Sequence, residues 1–148
     1  MSEAAARKLD DAGRFYTAVR NEDDHVTLLE INMKLGHIGV RFLDDKGRRS
    51  LDYLFQKTED GRMFLADMMV FDYANSEVRG DRADPSVIES YRFAPDGTVR
   101  RETDNKKTRE VETVDTHSVD VSDHWEPVPA FGAYDSIARH NRTQLNTE

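Results

Sequence analysis

The sequence predicts a mainly β (α+β) domain. One N-terminal helix leads into an antiparallel meander of about seven or eight strands, curled into a sheet or barrel, with a short C-terminal helix. Three observations predict this. The spacing of apolar residues switches from helical to alternating at about His25. Turn signals then recur between the alternating runs. And 148 residues are enough to bury one core rather than two.

The helix is read over residues 3–20, where Ala5, Leu9, Ala12, Tyr16 and Val19 share one stripe with Phe15 beside it. Gly13 weakens that stripe, and "NEDD" at 21–24 ends it. Residues 1–24 are therefore helix and linker, 25–125 the β meander, and 126–148 an extended tail with a short helix. All three belong to one domain, 1–148.

The strands follow in order. Leu29, Ile31, Met33 and Leu35 share a face, and so do Ile38, Val40 and Phe42 before the turn "DDKG". Leu51, Tyr53 and Phe55 alternate with Asp52 and Gln56, and "EDG" turns the chain at 59–61. "RMFLADMMVFDY" is apolar on both faces, as a covered central strand should be. After a polar loop at 74–86, Val87, Glu89, Tyr91 and Phe93 alternate with Ser90 and Arg92. "APDG" turns into the polar strand "TVRRETD", and "TREVETVDTHSVDVS" is the last long strand. Pro127 and Pro129 keep the next residues extended, and "YDSIARHN" can form the short helix. The order is lipocalin-like in outline, yet the chain carries no lipocalin motif and is assigned to no family.

Composition narrows the function classes. A net charge of −8 argues against a nucleic-acid partner, because phosphate binding needs surplus Lys and Arg. The first twenty residues carry acids and no apolar stretch, so no signal peptide is expected. No apolar run reaches the roughly eighteen residues of a membrane span. The chain has no cysteine, which removes disulfides and thiolate chemistry, and a cytoplasmic location is expected.

The stretch that looks most like chemistry is "VDTHSVDVSDHW", residues 114–125. In an unbroken strand, Asp115 and His117 share a face with Val111, Val119, Val121 and Trp125. Asp120 and His124 then fall on the polar face, toward solvent. A carboxylate beside an imidazole fixes its tautomer and raises its basicity, which suits a general base or a metal ligand. Glu89 shows the same oddity among Val87, Tyr91 and Phe93, and so does Asp67 between Leu65 and Met69. Acids facing a closed core are costly unless paired, so these point to pairing or to a wet cavity. The plainer reading is a structural hydrogen-bond pair, and a single β-bulge would reverse the parity of everything beyond it.

Other signals are weaker. The five histidines, His25, His37, His117, His124 and His140, have no metal-ligand spacing, so no metal is expected. There is no nucleotide-binding or nucleophile-elbow motif, and no cofactor is expected. Arg100, Arg101, Lys106, Lys107 and Arg109 read as exposed charges that protect a sheet edge. "RGD" at 79–81 and "NRT" at 141–143 read as chance.

Two readings follow. The first is a small acidic intracellular binding protein, non-enzymatic, acting by protein contact on a basic partner as an immunity- or inhibitor-type protein does. The second is a small-ligand barrel or barrel enzyme (isomerase, lyase or hydrolase). Asp115, His117 and Glu89 would line its cavity as the catalytic groups, with Tyr53, Tyr91, Trp125 and Asp67 binding the small molecule.

Overall fold

The structure, a computed structural model, describes residues 2–12, 14–22, 25–74, 76–139 and 142. A helix, α1 (Glu3–Asp11), precedes nine strands. These are β1 (Tyr16–Glu22), β2 (His25–Asn32), β3 (His37–Leu43), β4 (Arg49–Lys57), β5 (Arg62–Asp72), β6 (Val87–Phe93), β7 (Val99–Asn105), β8 (Glu110–Thr116) and β9 (Trp125–Pro127). Short 3-10 turns stand at Gly80–Arg82 and Ser122–His124.

The predicted helix is half as long as the stripe implied. Ser2 caps it by accepting from the Ala5 amide at 3.1 Å, with Glu3 in the first turn, and it stops at Asp11. Residues 16–22 are not helical. They form β1, which pairs along its whole length with β2, from Tyr16 opposite Ile31 to Glu22 opposite His25. A helix would put Tyr16 and Val19 on one side; the strand puts them on opposite sides, Tyr16 at 1% exposure and Val19 at 58%. The ladder with β2 outweighs a helical stripe that is weak in this segment. Gly13 lies outside the described residues.

The meander is as predicted. β1 to β8 are sequential antiparallel neighbours in one open, curled sheet. β5, with 11 residues, is the long central strand. One edge of β5 pairs with β4, and the other is divided between β6 along 67–72 and β9 along 62–64. The β3–β4 turn is closed by the Asp44 carboxylate, which accepts the Lys46 and Arg48 amides at 2.9 Å.

A bulge sets the faces of β5. Leu54 pairs with Asp67 while Phe55 pairs with Leu65, so Ala66 has no partner across the ladder. The extra residue turns Leu65 and Met68 toward the core and Asp67 and Met69 to the opposite face. Asp67 therefore does not share the face of Leu65, as unbroken alternation had it.

One face of the sheet is covered. Leu29, Ile31, Ile38, Val40, Tyr53, Phe55, Leu65 and Phe93 pack under Ala6 and Leu9 of α1, and under Val121, Tyr134, Ile137 and Ala138 from the C-terminal part. The short helix expected at 134–141 is represented by turns at 135–138, where the Ala138 amide donates to Tyr134 O at 2.9 Å. His140 and Asn141 lie outside the described residues.

The covering segment is tied down by a buried ion pair. Glu126 and Arg142 are both buried, and Arg142 Nη2 donates to Glu126 Oε1. The same guanidinium donates to Ser136 O at 2.7 Å and to Asp123 O at 2.6 Å, and it lies 4.9 Å from the Phe55 ring centre. Ser136 Oγ sits 2.9 Å from both Glu126 oxygens. Burial opposes ionisation of Glu126, but the hydrogen bonds from Arg142 and Ser136 outweigh it and hold the carboxyl below its ordinary value. Arg142→Met leaves that carboxylate buried and short of its cation. We expect it to cost about 3–5 kcal/mol in urea unfolding, and the double variant Glu126→Gln, Arg142→Met to recover most of the loss.

Candidate functional site

Residues 114–125 do not form one strand. β8 ends at Thr116, and Ser118 takes a left-handed conformation with φ 61°. The chain then folds back over the β6–β7 turn, with the Val119 amide donating to Gly97 O at 3.0 Å. The approach is so close that a Cβ on Gly97 would meet Val119 O at 2.7 Å. Parity is lost across this break, which reverses His124; Asp115 and His117 precede it and are in water because β8 is an edge strand exposed on both faces.

Asp115 and His117 are exposed rather than interior. Asp115 accepts from Arg100 Nε at 2.8 Å and Nη2 at 3.2 Å, and this hydrogen bond holds its carboxyl below the usual range. His124, expected in solvent, is 0% exposed. Its Nδ1 donates to Leu65 O at 3.0 Å, which fixes the tautomer, and its ring meets Phe93 edge-on at 4.3 Å. Burial pushes its imidazole below the ordinary value, against the pull of the Leu65 carbonyl. Only Asp120 is where alternation put it, exposed and accepting the Ser122 amide at 2.9 Å.

Glu89 is half-buried and accepts from the Tyr91 hydroxyl at 2.5 Å. Burial, then this bond to Glu89, pushes the Tyr91 hydroxyl up to about 12. Trp125 packs at the β5–β9 corner, 4.7 Å from Phe64 and 4.0 Å from the Arg62 guanidinium.

The opposite face of the sheet holds a cavity of about 640 Å³. Register explains its shape. One row of side chains crosses the strands as Leu28, Arg41, Asp52, Met69, Ser90 and Glu102. A second row crosses as Glu30, Gly39, Leu54, Asp67, Arg92 and Arg100. Both rows line the cavity. Between them runs the row Val40, Tyr53, Met68, Tyr91, whose side chains are buried on the covered face, so these residues contribute backbone to the floor. In a flat sheet β2 and β7 would stand about 24 Å apart at about 4.8 Å per step. They line one cavity because the sheet curls into a trough.

The trough brings together only part of the predicted set. Asp67 lines it with its side chain. Tyr53 and Tyr91 border it, but their rings lie among Phe42, Phe55 and Phe93 on the covered face. Asp115, His117, Glu89 and Trp125 do not line it. The residues that alternation alone did not bring forward are Leu28, Glu30, Gly39, Arg41, Asp52, Leu54, Met69, Ser90, Arg92, Arg100 and Glu102. Their signal was present as the even members of β2, β4, β6 and β7, with a glycine in the middle of β3.

The charges are ordered. Asp52 lies between Arg41, whose Nε is 3.6 Å away, and Arg49. Asp67 accepts from Arg92 Nε at 3.1 Å, and Arg100 turns outward to Asp115. Arg92 and Arg100 face each other across β6 and β7, and each is drawn to a different carboxylate. Glu30 and Glu102 make no ion pair among the described residues. Leu28, Leu54 and Met69 supply apolar surface, and Met69 packs in turn against the cluster of Phe71, Tyr73 and Ala83. Such an arrangement can hold an elongated molecule on an apolar strip between fixed charges. Among the described residues, no group of three or more His, Cys, Asp or Glu could hold a metal ion. No family model, curated protein or solved structure matches the chain.

The histidines make a clean test. His117→Ala should leave the thermal midpoint unchanged, whereas His124→Ala should lower it, leaving the buried Leu65 carbonyl unmet at about 1–3 kcal/mol. His124 also gives the pH dependence its sign. Its folded pKa is depressed, so the unfolded chain takes up the proton first. The stabilisation is complete above about pH 6.5, the ordinary histidine value, and is lost as pH falls toward the folded value. The midpoint should fall between pH 7 and 5, and His124→Gln should flatten that part of the profile.

Proposed function

We propose that this protein is a non-enzymatic binding protein whose site is the trough across β2–β7, and that it takes one small, elongated, partly apolar molecule. The observation that carries this reading is the trough itself. Its 640 Å³ falls in the range of small-molecule sites, about 300–1,000 Å³. It offers an apolar strip, backbone exposed along its floor, and charges already oriented by their partners. In that limited sense the protein is lipocalin-like: a curled sheet that keeps a ligand on its inner face. The acidic composition and lack of cysteine are consistent with action in the cytoplasm.

A second reading has one observation in its favour. β8 is an open edge of the sheet, and Glu110, Val111, Glu112 and Asp115 on it are exposed. A basic protein partner could pair with such an edge. The two readings separate on different residues. Nile red, a neutral dye that brightens in apolar surroundings, should bind saturably with one site per chain. Leu54→Lys, at a half-buried position in the trough, should abolish the signal with the circular dichroism spectrum unchanged. Charge reversal at Glu110 and Glu112 should leave it intact. Dye binding that ignores Leu54→Lys would overturn the trough reading.

A further inference from the structure

We propose that the ligand of the trough is an organic cation: an apolar chain or ring that lies over Gly39 with its ammonium group against Glu30. This rests on the trough being the binding site, and it adds the charge and position of the ligand.

Gly39 is the first reason. It sits in the middle of β3, paired with Glu30 on one side and Leu54 on the other. Its backbone does not need a glycine, since it is absent from the positive-φ positions that include Gly36, Gly47 and Gly97. Packing does not need one either. A Cβ built there would meet nothing nearer than the Glu30 Cβ at 3.8 Å and Glu30 Oε2 at 3.9 Å, ordinary contact distances. Gly36 and Gly97 differ, with neighbours at 2.9 and 2.7 Å. A strand-interior glycine weakens its strand and often marks the close approach of another group. Here the only space it preserves is the trough.

Charge is the second reason. Of the guanidiniums that line the trough, Arg92 and Arg100 each have a carboxylate of their own in Asp67 and Asp115, and Arg41 shares Asp52 with Arg49. Among the described residues, the lining carboxylates that make no ion pair are Glu30 and Glu102. Glu30 is the one beside the opening at Gly39, so whatever fills that opening meets a carboxylate with no cation of its own. An anion would meet repulsion there, while a neutral chain would gain nothing from the charge. The third reason is the flanking surface. Leu54 lies across the opening and Leu28 two residues along β2, so an ammonium at Glu30 has apolar contact for the chain that carries it.

The test compares octylammonium with octanoate, two eight-carbon chains of opposite charge, titrated into the full chain and followed by amide chemical shifts. Octylammonium should bind about tenfold tighter or better, with the largest shifts at Glu30, Gly39 and Leu54. Glu30→Gln should weaken octylammonium by about fivefold, the worth of one partly exposed ion pair, and leave octanoate unchanged or tighter. Gly39→Leu should abolish binding of both while the fold, checked by circular dichroism, is kept. Gly39→Ala fills less of the space and should weaken binding by a smaller factor, and it serves if the leucine variant does not fold. Octanoate binding as tightly as octylammonium, with both lost in Gly39→Leu, would overturn the cation and keep the trough. Failure of both chains while Nile red still binds in a Leu54-dependent way would also overturn only the cation. Failure of all three probes would remove the trough reading, and this proposal with it.

Discussion

A curled sheet has two faces, and among the described residues most of the covering segments lie on one of them. The nine residues of α1 and the segment from Val119 to Arg139, with Arg142, supply the cover, and both lie on the same side. That constraint decides the character of each face. Under the cover, residues are apolar or largely paired: His124 spends its Nδ1 on a backbone carbonyl and Glu126 accepts from Arg142, while the Tyr53 hydroxyl and Arg142 Nε are buried without a hydrogen-bond partner among the described residues. The uncovered face must tolerate water and so admits charge. The curl of the sheet then turns this second face inward, and a surface that would have been flat and solvated becomes a trough.

The placement of charge in the trough follows from cross-strand distance. Across β5 to β8 the second row reads Asp67, Arg92, Arg100, Asp115. Two guanidiniums directly opposite each other would repel, and the outer carboxylates draw them apart. Pairs this exposed contribute little to stability. Their effect is to fix the direction of each side chain and to cancel charge locally. The carboxylates of Glu30 and Glu102 stand out against that neutral background.

Much of the fold was legible because alternation is a direct imprint of one-sided burial. Leu29 and Ile31, Ile38 and Val40, Tyr53 and Phe55 all face the core as their spacing requires. The errors arose where alternation breaks or where a segment fits two periods. Tyr16 and Val19 lie three residues apart, a spacing that serves a helical stripe and equally two faces of a strand. The bulge at Ala66 moved Asp67, and the break at the left-handed Ser118 moved His124; neither residue type announces such a conformation. Arg142 could not be read as half of a buried pair, because its partner Glu126 is fixed by how the C-terminal segment folds back. The trough left a fainter trace: Gly39 between the β-branched Ile38 and Val40, and a mixture of Leu28, Leu54 and Met69 with charges at the positions that simple alternation assigns to solvent.

An open curled sheet also has two free edges, and their composition bears on why the trough can stay open. β1 ends beside Arg20, which pairs with Asp135 of the covering segment at 2.9 Å. β8 carries Glu110, Glu112 and Asp115, and the turn before it carries Lys106, Lys107 and Arg109. Charged edges of this kind resist pairing with a second copy of the same sheet, whose edge carries the same charges. Closing β1 onto β8 instead would require fresh backbone hydrogen bonds along an edge whose side chains are almost all in water, with little apolar surface to gain. The sheet therefore stops short of a barrel. One face is sealed by the buried pair of Glu126 and Arg142, and the other stays accessible along the line from Leu28 to Glu102.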